Sequence, residues 1–247
     1  MDKAIFIAMS GAKQTMLAQQ AHANNLANVK TTGFKEDFTQ ARSMPVYGEY
    51  YPTRAYAMTE RPGTNFDSGP LIQTGNNLDV AIKGDGWIAV QAEDGSEAYT
   101  RAGDFNIDIN GQLRTGKGLP VLGDGGPIVL PPSAKIEIGA DGTISVLPLG
   151  AQVVGLAIVD RIRLVNPDAA DLEKSEDGLV HLKEGVAPPI PDGAIQVAPG
   201  FLEGSNVNAV SALTDILSLS RQYELQVKLM SQADEMSQST ARLLQFS

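Results

Sequence analysis

Residues 205–247 read SNVNAVSALTDILSLSRQYELQVKLMSQADEMSQSTARLLQFS, without a glycine or a proline. Those two residues disfavour helix interiors by about 1 and 3 kcal/mol respectively. Their absence over so long a run predicts one continuous helix, with Ser205 or Asn206 placed to cap its start. Apolar residues recur three and four apart along it. One seam runs Ala209, Leu213, Ile216, Ser220, Tyr223, Val227, Met230, Asp234, Ser237, Ala241 and Leu244. A second runs beside it through Leu219, Leu229, Ala233, Met236 and Leu243. Two adjacent seams make a broad apolar face, suited to more than one helical neighbour.

Working outward, all 14 prolines lie between Pro45 and Pro199, and 24 of the 25 glycines lie between Gly33 and Gly204. The exception is Gly11. Long helices are therefore confined to the two ends. At the N-terminus Ile5, Met9, Ala12, Met16, Gln19, Ala23 and Leu26 repeat the same spacing, and only Gln19 is polar. That narrow seam is the kind that mates with another helix. At about 1.5 Å per residue the helix would reach about 40 Å, with Gly33 as its stop.

The middle reads as strands and turns. Leu78, Val80 and Ile82 alternate with Asp79, Ala81 and Lys83, and Gly84-Asp85-Gly86 turns the chain into Trp87–Val90. Asp94-Gly95, Asn110-Gly111 and Asp141-Gly142 are hairpin signals between alternating runs. Phe105, Ile107 and Ile109 are expected to face inward, and Val153–Val159 to form a buried strand. The stretch from 36 to 77 has no clean period. The expected fold class is α+β. N- and C-terminal helices pair as a coiled-coil-like discontinuous domain, 1–35 plus 205–247. An extended connector spans 36–77, and an all-β domain, an antiparallel sandwich or barrel, spans 78–204.

Composition narrows the chemistry. With 19 Lys and Arg against 29 Asp and Glu, the net charge is −10. That is the wrong sign for displacing counterions from nucleic acid, and it argues against docking on anionic lipid. The absence of cysteine excludes disulfides, thiolate metal sites and a cysteine nucleophile. The only apolar run near Met1, Ala4–Met9, is shorter than a secretory signal requires, and no stretch approaches a membrane span. Asp104–Gly111 looks like a calcium loop, but positions six and twelve are Ile109 and Thr115 rather than Gly and Glu. Gly116-Lys117-Gly118 and Gly123–Gly126 precede prolines rather than helices, so they read as turns and not phosphate cradles. Of the two histidines, His22 lies beside the N-terminal seam and His181 in the β region. No Gly-x-Ser-x-Gly elbow accompanies either. No catalytic, cofactor-binding or metal-binding residues are assigned, and none is expected. A pair of carboxylates acting on a glycosidic bond leaves no sequence signature, so a wall hydrolase stays an alternative. A secreted β-domain adhesin is another.

Ala23-Asn24-Asn25-Leu26-Ala27-Asn28-Val29-Lys30-Thr31-Thr32-Gly33-Phe34-Lys35 resembles the flagellar rod and hook axial-protein family. Asparagines at a helix end can satisfy loose backbone groups, but three within five residues exceed that need. Pro199–Asn208 resembles the family's second signature, where the chain joins its C-terminal helix. Arg221–Glu224 and Ala233–Glu235 are also similar to it. Gln73–Ile82 and Ala98–Gly103 resemble its middle segment, so the likeness covers nearly the whole chain. Met1–Ala4, Ala8–Gly11, Gly126–Pro132 and Asp141–Ser145 are closest to the proximal-rod branch, with the distal-rod branch as runner-up.

The resemblance implies a non-catalytic structural subunit whose terminal helices pack into a helical tube, with the β domain outside. It implies partners among proximal and distal rod proteins and the flagellar export apparatus, and a place in the rod that spans the periplasm. Export would proceed unfolded, without a cleaved signal. The expected assembly interface comprises Ile5, Met9, Met16, Asn24, Asn25, Leu26, Asn28, Gly33 and Phe34, with Leu213, Leu217, Tyr223, Val227 and Met230. Isolated helices of this length are marginal in water, so the termini are expected to be largely unfolded in the free subunit.

Overall fold

The computed structural model describes residues 2–45, 47, 55–60, 63–148, 156–175 and 177–245. It has an N-terminal helix, a mostly β middle and a C-terminal helix, so the class is α+β. The chain divides into two compact units. One combines Met1–Asn28, Asp37–Asn65 and Val207–Ser247; the other combines Val29–Glu36 and Phe66–Asn206.

The helical unit contains α1 (Asp2–Ala27), α2 (Ala209–Gln245), and a hairpin of β1 (Gln40–Pro45) and β2 (Ala55–Glu60). The helices run antiparallel: Thr15 meets Gln226 and His22 meets Asp215. β2 is tied to α1, because the Thr59 amide donates to Gln14 Oε1 at 2.8 Å and the Thr59 hydroxyl to the Gln14 carbonyl at 3.1 Å. The region expected to be an extended connector thus holds a hairpin. Its missing periodicity has a simple cause: every residue of β1 is exposed, so neither face carries an apolar requirement.

Both helix boundaries differ from expectation. α1 stops at Ala27 rather than at Gly33. The Asn28 side chain donates to the Asn24 carbonyl at 3.0 Å and so occupies a last-turn acceptor. α2 is capped by Asn208, not by Ser205 or Asn206. Its Oδ1 accepts the Val210 and Ser211 amides at 3.0 and 3.2 Å.

In the β unit every strand pairing between described residues is antiparallel. A five-stranded sheet orders Leu164–Val165, Trp87–Gln91, Glu97–Thr100, Val180–Leu182 and Leu172–Lys174. A three-stranded sheet orders Ser133–Ile138, Thr143–Pro148 and Ala157–Arg161. Shorter pairs join Val80–Lys83 to Gln196–Pro199 and Leu71–Gln73 to Phe201–Glu203. The main core gathers Val80, Ile82, Ile88, Val90, Leu113, Ile128, Ile144 and Val146. A second cluster surrounds Trp87, Tyr99 and Val165.

The hairpins expected at Asp94-Gly95, Asn110-Gly111 and Asp141-Gly142 are present. Ile109 is the exception to the alternation: Phe105 is buried, whereas Ile109 is fully exposed. The strand ends at Ile107, because Asp108 turns the chain by accepting the Asn110 and Gln112 amides. Val153, Val154 and Gly155 lie outside the described residues. Ala157–Val159 of that run belong to a strand, Ala157–Arg161, but not a buried one: Ile158 is 73% exposed at the edge of the three-stranded sheet.

Candidate assembly surface

The seam between α1 and α2 is built mostly of small and polar side chains, with Ile216, Leu219 and Met230 half-buried among them. On α1 the buried positions are Gly11, Ala12, Thr15, Ala18 and Asn25. The Gly11 backbone lies so close to α2 that a Cβ there would sit 2.9 Å from Gln226 Nε2. Thr15 Oγ1 donates to the Gly11 carbonyl at 3.0 Å and stands 3.3 Å from Gln226 Oε1. On α2, Ala209, Ala212, Ile216, Leu219, Gln226, Met230, Ala233 and Ser237 are turned inward or half-buried. The heptad spacing read from the sequence holds, but alternate positions fall one residue earlier. Ala212, Gln226 and Ala233 replace Leu213, Val227 and Asp234, while Leu219 and Ser220 are both half-buried. At Ala212 and Ala233 close approach of the backbones selects the small residue of the pair, whereas Gln226 is placed by its contacts with Gly11 and Thr15. The side chains of Ala241, Leu243 and Leu244 lie outside the described residues.

The large apolar residues consequently face out. Phe6, Met9, Met16 and Leu17 are 54%, 52%, 63% and 44% exposed. On α2, Val210, Leu213, Leu217, Tyr223, Leu225, Val227, Leu229 and Met236 are exposed as well. Between α1, α2 and β2 lies a groove of about 550 Å³ lined by Ile7, Ala8, Gly11, Ala57, Leu229 and Met236. Monomeric proteins rarely leave apolar stripes of this extent uncovered.

Of the residues expected at the interface, Met9, Met16, Leu213, Leu217, Tyr223 and Val227 are exposed on the helices, and Ile5, Leu26 and Met230 are half-buried. The asparagines divide. Asn24 is exposed; Asn25 is fully buried, donating to the Asp37 carbonyl at 2.9 Å and accepting the Asp37 amide at 3.1 Å. Asn25 therefore closes the turn that returns the chain to the hairpin, and Asn28 caps α1. In the β unit the Gly33 amide donates to the Glu203 carbonyl at 2.8 Å. The Phe34 carbonyl accepts the Asn206 amide at 3.3 Å, and Lys174 Nζ stands 3.9 Å from the Phe34 ring centre. Much of the asparagine–glycine signature is thus internal architecture. Lys35 and Glu203 were not singled out from sequence, and Asn206 only as a helix cap, although each sits inside one of the two quoted signatures.

The helical unit places Thr39 Oγ1 3.1 Å from His22 Nε2, with Asp215 Oδ2 3.9 Å from Nδ1. That last distance is too long to orient the ring as a catalytic base. Among the described residues no group of three His, Asp or Glu is placed to hold a metal ion.

Three family models match the chain. One described as Flagella basal body rod protein matches residues 5–35. One described as Flagellar hook protein FlgE/F/G D1 domain matches 81–146. One described as Flagellar basal body rod FlgEFG protein C-terminal matches 198–243. The Flagellar basal-body rod proteins FlgF of Escherichia coli (strain K12) and of Salmonella typhimurium are each 41% identical to it over 252 residues, covering 100% of both chains. The Flagellar basal-body rod protein FlgG of Agrobacterium fabrum is 32% identical over 266 residues, covering 98% of this chain and 99% of its own.

Proposed function

The chain belongs to the family of flagellar basal-body rod proteins, and on that premise we propose that the outward apolar faces of α1 and α2 are the contacts through which it assembles. It is a structural subunit of the basal-body rod, and its relatives indicate no catalytic activity. The observation that carries the assembly reading is the division of side chains on the helices. Small residues close the seam within the subunit, while Met9, Met16, Leu213, Leu217 and Val227 stay in water. These residues, with Ile5, Leu26, Tyr223 and Met230 beside them, mate with helices of neighbouring rod subunits. The same face supports coiled-coil-like pairing in the assembly. A contact of this head-to-tail kind does not close on itself and generates an open helical tube. The β unit is read as a small antiparallel sandwich or barrel.

Within the rod we place the subunit in the proximal segment. The FlgF proteins of Escherichia coli and Salmonella typhimurium are 41% identical to it, against 32% for the FlgG protein of Agrobacterium fabrum. Its partners are other rod proteins, and it reaches the periplasm through the flagellar export apparatus. No described helix is long and apolar enough to cross a membrane.

The test is a clean deletion, scored by swimming and by electron microscopy of isolated basal bodies. The expected strain is non-motile with a truncated rod, restored by this gene, and the truncation point distinguishes proximal from distal placement. Normal motility with complete basal bodies would overturn the reading.

A further inference from the structure

A buried ionic cluster joins the two signatures within the β unit. Glu203 is 1% exposed, and Lys35 and Arg101 are each 3% exposed. Glu203 Oε1 accepts Lys35 Nζ at 2.7 Å and the Gly69 amide at 3.0 Å. Its Oε2 accepts Arg101 Nη1 at 2.9 Å. Lys35 Nζ also donates to the Asp67 carbonyl at 2.8 Å. The Arg101 guanidinium lies 5.3 Å from the Trp87 ring centre. Around the cluster, Asn206 Oδ1 accepts the Glu36 amide at 2.8 Å, and Lys174 Nζ donates to the Lys35 carbonyl at 2.6 Å.

Two cations and one carboxylate removed from water are expensive, and an apolar replacement of similar volume is often no less stable. Burial pulls the Lys35 ammonium below its ordinary pKa, with the Glu203 carboxylate opposing and Arg101 adding to the fall. Bulk stability is therefore a poor reason for the cluster; conformational specificity is a better one. The topology says what is specified. The chain passes between the two units after 28, 36, 65 and 206. The cluster takes its groups from 33–36, 66–69 and 203–206, each beside one of those passages, and from Arg101 in the interior of the unit.

We propose that Glu203 is a positioning residue, the keystone of an ionic lock that fixes the segments leading to both terminal helices onto the β unit. The lock spans 168 residues of sequence between Lys35 and Glu203. It stays open until the C-terminal signature has docked, so the N-terminal signature is held only when both ends of the chain are present. This does not depend on the rod assignment, because it concerns the subunit in solution.

Hydrogen exchange on the full chain tests it, comparing wild type, Glu203→Gln, Lys35→Met and the double variant. In Glu203→Gln two buried cations lose their anion, and exchange in 29–36 and 66–69 should rise by about tenfold or more. The strands Trp87–Gln91 and Glu97–Thr100 should keep their protection. Lys35→Met leaves the neutral Arg101–Glu203 pair, so it folds even if Glu203→Gln does not, and it should loosen 29–36 alone. Adding Lys35→Met to Glu203→Gln should recover about threefold or more of the lost protection, since one stranded cation is gone. Unchanged exchange in 29–36 in Lys35→Met, a uniform rise across the whole β unit, or strictly additive effects in the double variant would each overturn the lock.

Discussion

Gly33 has φ +65°, and a Cβ on it would lie 2.3 Å from the Ala102 amide nitrogen and 2.4 Å from the Arg101 carbonyl carbon. Neither neighbour is a side-chain tip that can swing away. Gly33→Ala combines a left-handed backbone with a clash against main chain, and should cost at least about 2 kcal/mol in chemical denaturation of the β unit. A loss within about 0.5 kcal/mol would show that the turn relaxes. The sequence marked Gly33 for the wrong reason, as the end of a helix, because its neighbour across space is Ala102 and no local pattern announces that. Tyr99 makes a pH prediction at the same scale. Burial foremost, and then the neighbouring Glu97, push its phenol well above the ordinary range. The unfolded chain loses this proton near pH 10 while the folded chain keeps it. This group therefore costs nothing below about pH 10 and drains stability as pH rises beyond it. Tyr99→Phe should flatten that alkaline loss relative to wild type in pH-dependent urea melts. It should also be slightly less stable at neutral pH, where the hydrogen bond to Glu97 is gone.

The helices follow the same logic one level up. Their period was legible, and so was the presence of two seams on α2. Which seam faces α1 was not, because heptad spacing is satisfied equally by Leu213 and by Ala212 within one residue. Helix separation decides that phase, and Gly11 against Gln226 sets the separation. A seam mostly of alanine, threonine and glutamine, with Ile216, Leu219 and Met230 only half-buried, buries modest apolar area, at roughly 25 cal/mol per Å². Free subunits should therefore hold α1 and α2 weakly. Amides of 5–24 and 213–240 should exchange at least about a hundredfold faster than those of Trp87–Gln91, and become protected in assembled rods. Equal protection in helices and strands of the monomer would refute that expectation. The hairpin of β1 and β2 escaped the sequence altogether, since an all-exposed strand leaves no alternation to read.

For the whole molecule the consequence is a separation of folding from assembly. Leu217 is 60% exposed on α2, so Leu217→Asp should alter the melting of the purified subunit by no more than about 0.5 kcal/mol. In an assembled helical interface the same carboxylate would be buried without a partner, at a cost of about 3–5 kcal/mol. The variant should be exported and folded yet fail to complete a rod, giving non-motile cells. Swimming at wild-type speed would remove Leu217 from the interface. Ile88, fully buried, supplies the contrast: Ile88→Asp should abolish folding of the β unit itself.

Glycine and proline placement, a local property, determined by sequence alone that helices stand at the ends and strands in the middle. Asn-Gly and Asp-Gly dipeptides determined the hairpins, because turn geometry depends on two residues. The two signatures at Ala23–Lys35 and Pro199–Asn208 determined the family. Only the tertiary structure decided that these signatures bind one another through Glu203, Lys35 and Asn206, and that the large helical side chains face water while small ones close the seam. Those outcomes rest on which backbones approach closely across more than a hundred residues of chain, and nothing in local spacing encodes that distance.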